Sequence, residues 1–366
     1  MKIDKTQISG SKFMFTVACF VQSSSLLTSF LVSILTHDSW IAVLFGAIIC
    51  IPLVWLFRTI MVMFPDKNLI LILEDVYGTI AGKIIGIAYL WFFLTLSSLN
   101  LVDLGDFTKS TIMKKTPLIV LLILCLIVCT IAVRNGFRLV TKYSTLFTIV
   151  AFTILITTIL LVLNQSKLDN FLPMFDQSPM KYIQGTHIIT TIPFGELVIF
   201  LMIHPNVKMT RRETTKYLFL GFAMGGITLL AVTLRDIAVL GNTLDFFSVP
   251  SLTTLRLVNF GPALSRMEIL FATVLIMLLF FKITLLFYIT VITTAEIFKI
   301  KKYRNLVLAI GALIITYGLT LYPSPVKHAE SAQLSTPIIW TLFEILIPLL
   351  TFIIAKIRKK SKIKEA

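Results

Sequence analysis

Charge is what this sequence has least of. Only 14% of its 366 residues are charged and 57% are hydrophobic, whereas an ordinary soluble domain has roughly 25% and 45–50%. With 29 phenylalanines and a mean hydropathy of +0.93, it carries more apolar surface than a water-soluble fold of this length can bury. That excludes a soluble enzyme and makes lipid the solvent for most of the chain. Acidic residues are scarce, 18 against 33 Lys and Arg, for a net charge of +15. The basic residues form short clusters between apolar runs, with no basic stripe or aromatic platform, so nucleic acid is not an expected partner. The four cysteines, Cys19, Cys50, Cys125 and Cys129, fall inside apolar runs without CxxC spacing. They read as hydrophobes, not as a disulfide framework or a metal site. His37, His187, His204 and His328 show no metal-ligand spacing either, so no metal or cofactor is expected. There is no GxxxxGK[ST], HExxH or GxSxG and no extramembrane carboxylate pair, which leaves ATP coupling and hydrolysis without a candidate site.

What the chain has instead is long apolar runs. A bilayer core needs about 20 mainly apolar residues per helix, and ten stretches qualify, at about 13–35, 40–57, 84–102, 117–133, 143–163, 183–203, 217–240, 269–295, 306–322 and 337–355. The fourth is short and the sixth carries His187 and Glu196, so a hydropathy scan alone can return eight or nine. Lys2, Lys5 and Lys12 precede the first stretch, which is too long for a signal-peptide core and has no small-residue cleavage site after it. An uncleaved first span is the expectation. With the N-terminus inside, 23 of the 33 basic residues fall on the cytoplasmic side. Both termini are therefore expected in the cytoplasm, with residues 1–366 forming one membrane domain.

The connection lengths suggest an inverted repeat of five spans plus five, over about 12–163 and 183–355. The long connections, about 58–83 and 241–268, occupy equivalent places in the two halves, and an odd number of spans per half reverses the second. The first span of each half also has the weakest centre. Span one carries Gln22-Ser23-Ser24-Ser25, and span six carries Pro193-Phe194-Gly195-Glu196. Proline removes a backbone donor, and serines compete for backbone hydrogen bonds. Broken helices persist in a membrane where they line a cavity or bind something. A proline kink, with serines bonded back to their own helix, is the alternative.

A charge at the centre of a span costs about 2.5–3.5 kcal/mol on insertion scales. Lys282, in the middle of span eight, and Glu196, directly after the weak point of span six, are the two to explain. Mutual neutralisation across a cavity is one account; a neutral buried lysine and a helix-capping glutamate are the others. Glu344, about two turns into span ten, is expected to be hydrated from outside or bonded to a neighbour, and Asp103 and Asp106 to face the outer interface. In span three Phe92, Leu96 and Asn100 follow at i, i+4, i+8 with Ser97 adjacent, a stripe that serves a pocket or ordinary packing equally well. Gly221 with Gly225 and Gly226 reads as helix packing.

Asp38-Ser39-Trp40-Ile41, Phe64-Pro65-Asp66-Lys67-Asn68-Leu69 and Gly82-Lys83-Ile84-Ile85-Gly86 resemble the first half of the endospore germination permeases. These are the B subunits of nutrient germinant receptors. Further matching segments are Lys115-Thr116-Pro117, Phe171-Leu172-Pro173, Phe194-Gly195-Glu196-Leu197, Val249-Pro250-Ser251, Arg266-Met267-Glu268 and Glu296-Ile297-Phe298-Lys299. The resemblance implies an all-α membrane protein of ten helices with the amino acid, polyamine and organocation transporter fold. It also implies a place in the spore inner membrane beside an A subunit and a lipoprotein C subunit. The expected role is sensing a small polar nutrient (amino acid, sugar or nucleoside) between spans one, three, six and eight; a proton-coupled amino acid permease is the alternative. Many relatives have a glycine-rich break in helix one where this chain has Ser23-Ser24-Ser25. The expected ligand-binding residues are Ser23, Ser24, Ser25, Phe92, Leu96, Ser97, Asn100, Pro193, Phe194, Gly195, Glu196 and Lys282.

Overall fold

All ten apolar stretches are helical in the computed structural model, which describes residues 6–257 and 268–364. Lys2, Lys5, Arg266 and Met267 lie outside the described residues. In chain order the helices are α1 (Gly10–Gln22), α2 (Thr28–Leu35), α3 (Ser39–Met63), α4 (Leu69–Tyr77), α5 (Thr79–Thr111) and α6 (Leu118–Asn135). After these come α7 (Phe137–Val140), α8 (Ser144–Val162), α9 (Pro179–Ile189), α10 (Phe200–Ile203), α11 (Arg211–Leu240) and α12 (Pro250–Arg256). The last five are α13 (Glu268–Ile297), α14 (Val307–Leu321), α15 (Pro325–Gln333), α16 (Ser335–Thr341) and α17 (Ile347–Lys364). The two long connections each carry a short helix, α4 and α12.

Eight helices among the described residues are long and apolar enough to cross a membrane unaided, or nine if α14 and α15, bent by 87° at their break, form one span. The ten-span expectation also counts the first stretch, and there the helix is interrupted. A tight turn at Ser23–Leu27 separates α1 from α2, 13 and 8 residues long, and neither alone reaches the roughly 20 residues a bilayer asks for. The sixth stretch is interrupted as well. After α9 the backbone widens into a π turn at Thr190–Phe194, where Ile192 leaves helical geometry (φ −116°, ψ 108°), and then tightens at Gly195–Ile199 before α10. Pro193 has no N–H to continue the ladder.

Burial separates inner helices from outer ones. Across the apolar stretch of Pro179–Asn206 89% of the residues are buried, against 28% in α6 and 28% in Phe137–Gln165. The outer pair turns Ile123, Leu124, Ile127, Leu146, Ile149 and Ile156 outward, the surface a helix presents to lipid. Inside, α1 lies directly on α11 because two glycines allow it. A Cβ on Gly221 would fall 2.6 Å from the Met14 carbonyl oxygen, and one on Gly225 2.4 Å from Val21 Cβ. The glycine spacing is thus a helix-packing device, as its sequence pattern suggests. A two-residue parallel bridge, β1 (Ile8–Ser9) with β2 (Val207–Lys208), ties the approach to α1 to the chain leaving α10.

Candidate ligand cavity

The two interrupted segments meet at Lys282. From the middle of α13 its ammonium lies 2.7 Å from Glu196 Oε2, donates to Ser24 Oγ at 2.8 Å, and stands 4.8 Å from the centre of the Phe20 ring. Both charged side chains are 2% exposed. A lysine this deep cannot reach the interface, so the carboxylate, hydroxyl and aromatic face replace its water. Ser24 arrives through the turn after α1. Its neighbour Ser23 donates instead to the Phe20 carbonyl at 2.5 Å, bonding back to its own helix. Gln22 is fixed from α11 by a hydrogen bond to Thr228 Oγ1 at 2.9 Å.

This cluster forms one wall of a cavity of about 680 Å³, within the size range of small-molecule sites. α5 contributes Leu96, Leu99, Asn100 and Asp103; α13 contributes Leu279 and Lys282; α16 contributes Thr336 and Trp340. The cavity reaches the surface beside Lys109, Lys114 and Pro325, all exposed. Near that mouth His328 of α15 meets Asp103 of α5 at 3.3 Å, and the Tyr322 ring stacks on the imidazole. A basic floor paired with one acid, hydroxyl and amide groups on the wall, and two further acids, Asp103 and Asp106, toward the mouth suit a small polar molecule.

Of the twelve residues expected from sequence, Ser23, Ser24, Leu96, Asn100, Glu196 and Lys282 line the cavity. The others do not. Phe92 stacks on Phe343 (4.9 Å, 11°) and meets Trp340 edge-on, because below Leu96 the space beside α5 is filled by aromatic rings. Ser97 bonds to the Phe93 carbonyl and to Thr290 Oγ1 across the α5–α13 contact. Phe194 packs edge-on against Phe222 at 5.1 Å. Pro193 and Ser25 are buried, and Gly195 rests against Glu344. The span-three stripe therefore serves both of its candidate roles, pocket above and packing below.

Three features depart from the sequence expectations. Asp103 and Asp106 line the cavity, a role the sequence did not suggest for them, and extending the Leu96–Asn100 stripe by one turn reaches Asp103. Glu344 is fully buried and so closed off from the outer side, and neither carboxyl oxygen has a hydrogen-bond partner among the described residues. His37, Asp38 and Asp176 bring potential ligand atoms within 4.8 Å of one another, a grouping that only folding creates. His37 Nε2 lies 2.6 Å from the Pro173 carbonyl oxygen, and Asp38 accepts from the Phe175 amide and the Tyr182 hydroxyl, contacts that join the α2–α3 connection to the segment around α9. None of these three lines the cavity.

The fold is that of known membrane transporters. Mhp1, a nucleobase-cation-symport-1 family transporter in a closed conformation with bromovinylhydantoin bound, superposes with a TM-score of 0.67 at 12% identity, over 90% of this chain and 76% of that one. MhsT in complex with L-phenylalanine superposes at 0.65 and 10% identity, over 96% and 89%. At such identities the likeness is one of fold. In sequence, the chain is 28% identical over 374 residues to spore germination protein KB of Bacillus subtilis (strain 168), with both chains covered in full. Residues 7–324 match the spore germination protein family, and the chain belongs to that family of membrane permeases.

Proposed function

We propose that this chain is the ligand-binding subunit of a spore nutrient germinant receptor, taking a small polar nutrient such as an amino acid, sugar or nucleoside into the cavity beside Lys282. The meeting of Ser24, Glu196 and Lys282 on the cavity wall carries this reading. A carboxylate or hydroxyl entering there competes with Glu196 and Ser24 for the ammonium. Because those two residues sit on separate interrupted segments, re-pairing Lys282 changes how the segments are held together. A ligand shifts a conformational equilibrium only by its differential affinity for the two states, and this junction is where such a difference arises. The A and C subunits are the proposed readers of the shift.

The same reading includes a five-plus-five inverted repeat over about 12–163 and 183–355, supported by the equivalent placement of the two interruptions and of α4 and α12. It places the chain in the spore inner membrane with both termini on the cytoplasmic side, so that the cavity mouth beside Lys109 and Lys114 opens on the opposite face, away from the larger basic share. Chemical transformation of the ligand is not part of it.

A proton-coupled amino acid permease is the second reading, favoured by the transporter fold. A nutrient screen by thermal shift on the purified protein tests both, since a ligand at 100 times its Kd adds about 2.7 kcal/mol of stability. Uptake of the hit into liposomes by this chain alone selects the permease, and binding without uptake selects the receptor. A panel of amino acids, sugars and nucleosides without any shift would sink both.

A further inference from the structure

Glu344 stands behind the break whose front holds Glu196. It lies in a π turn, Leu342–Leu346, between α16 and α17, fully buried, with neither carboxyl oxygen hydrogen-bonded among the described residues. Oε2 rests on Gly195: a Cβ there would lie 2.2 Å from it and 3.1 Å from the Thr190 carbonyl oxygen. The titratable groups close enough to interact with it electrostatically are Glu196 from the broken segment, Lys282 from α13, Cys50 from α3 and Tyr89 from α5. Each hydrogen-bond donor group among them has another partner. Lys282 is held by Glu196 and Ser24, Tyr89 donates to the Phe343 carbonyl at 2.6 Å, and the Cys50 thiol donates to the Thr190 carbonyl at 3.3 Å. An ionised carboxylate in this place gives up its hydration and gains no hydrogen bond among the described residues, only the field of an ammonium already paired with Glu196.

We propose that Glu344 is a proton-binding site, its carboxyl held as the neutral acid against the broken segment and released to ionise when that segment moves. The coupling runs through two consecutive residues, since Gly195 touches Glu344 while Glu196 touches Lys282 in the cavity. A rearrangement that re-pairs Glu196 carries Gly195 with it, opens the carboxyl to water, and lets its O–H bond break with transfer of the proton to water. The protonated site stands apart from the nutrient reading, because it depends on the break; only its release on ligand binding rests on that reading.

Infrared spectroscopy of the full chain in lipid nanodiscs at neutral pH tests the proposal. The wild type should show the carbonyl stretch of a protonated carboxylic acid that is missing from Glu344→Gln and displaced in Glu344→Asp. Gly195→Ala, which forces the carboxyl off the break without altering it chemically, should weaken or shift the same band. Glu344→Gln has the shape of the neutral acid, so its melting temperature should equal or exceed that of the wild type. A spectrum unchanged by Glu344→Gln, a lower melting temperature for that variant, or a sodium-dependent melting shift that it abolishes would overturn the proton site. A band indifferent to Gly195→Ala would overturn the coupling.

Discussion

Lys282 and Glu196 face each other at 2.7 Å from separate helical segments, and the same ammonium donates to Ser24 at 2.8 Å. The two interruptions are therefore joined through one side chain that belongs to neither. Removing either charge strands the other in the interior. Lys282→Met and Glu196→Gln should each destabilise the protein by about 3–5 kcal/mol, the usual cost of breaking a buried pair. The double variant should lose less than the sum by at least about 1 kcal/mol. Unfolding of the four proteins in detergent measures this, and strict additivity would refute the pairing.

The serines of the first interruption should separate by role. Ser24→Ala deletes a hydrogen bond to a charged group and should cost about 1.5–3 kcal/mol. Ser23→Ala removes only a bond to its own preceding turn, with a smaller loss expected. Equal melting temperatures for the two variants would show that Ser24 contributes nothing special to the junction.

Gly195 and Gly226 make a matched pair of tests. An added methyl at Gly195 meets Glu344 Oε2 at 2.2 Å, whereas at Gly226 the nearest atom is Phe194 Cζ at 3.6 Å. Overpacking of the first kind costs about 1–3 kcal/mol, so Gly195→Ala should melt well below the wild type. Gly226→Ala should match it or gain up to about 1 kcal/mol from helix propensity. The reverse order would mean that the broken segment yields easily.

Residues that line the cavity should separate from those that pack beneath it. Asn100→Leu should leave the melting temperature near that of the wild type while cutting nutrient affinity about tenfold, or about 1.4 kcal/mol. Phe92→Leu gives up aromatic contacts worth about 0.5–1.5 kcal/mol each with Phe343 and Trp340, and should lower stability while keeping affinity. Ligand-induced thermal shifts on both variants decide. Unchanged affinity in Asn100→Leu would place the ligand elsewhere.

Composition alone determines that lipid is the solvent, and apolar runs of sufficient length determine where the helices lie; both are local properties of the chain. The weak centres of spans one and six are equally legible, because a proline or a run of serines acts on its own backbone. That Lys282 and Glu196 need compensation also follows from position within a span. What only the tertiary structure decides is which faces meet. Ser24, Glu196 and Lys282 come from three distant segments, Asp103 joins them in the cavity, and Ser97 and Phe92 are drawn into packing one turn away. Glu344 gives the sharpest case, since its position in span ten suits contact with water, yet folding buries it on Gly195. The reason is the solvent itself. In a bilayer the lipid-facing and protein-facing sides of a helix are both apolar, so periodicity no longer marks the buried face as it does in water, and only the packed helices reveal which side closes on protein and which on a cavity.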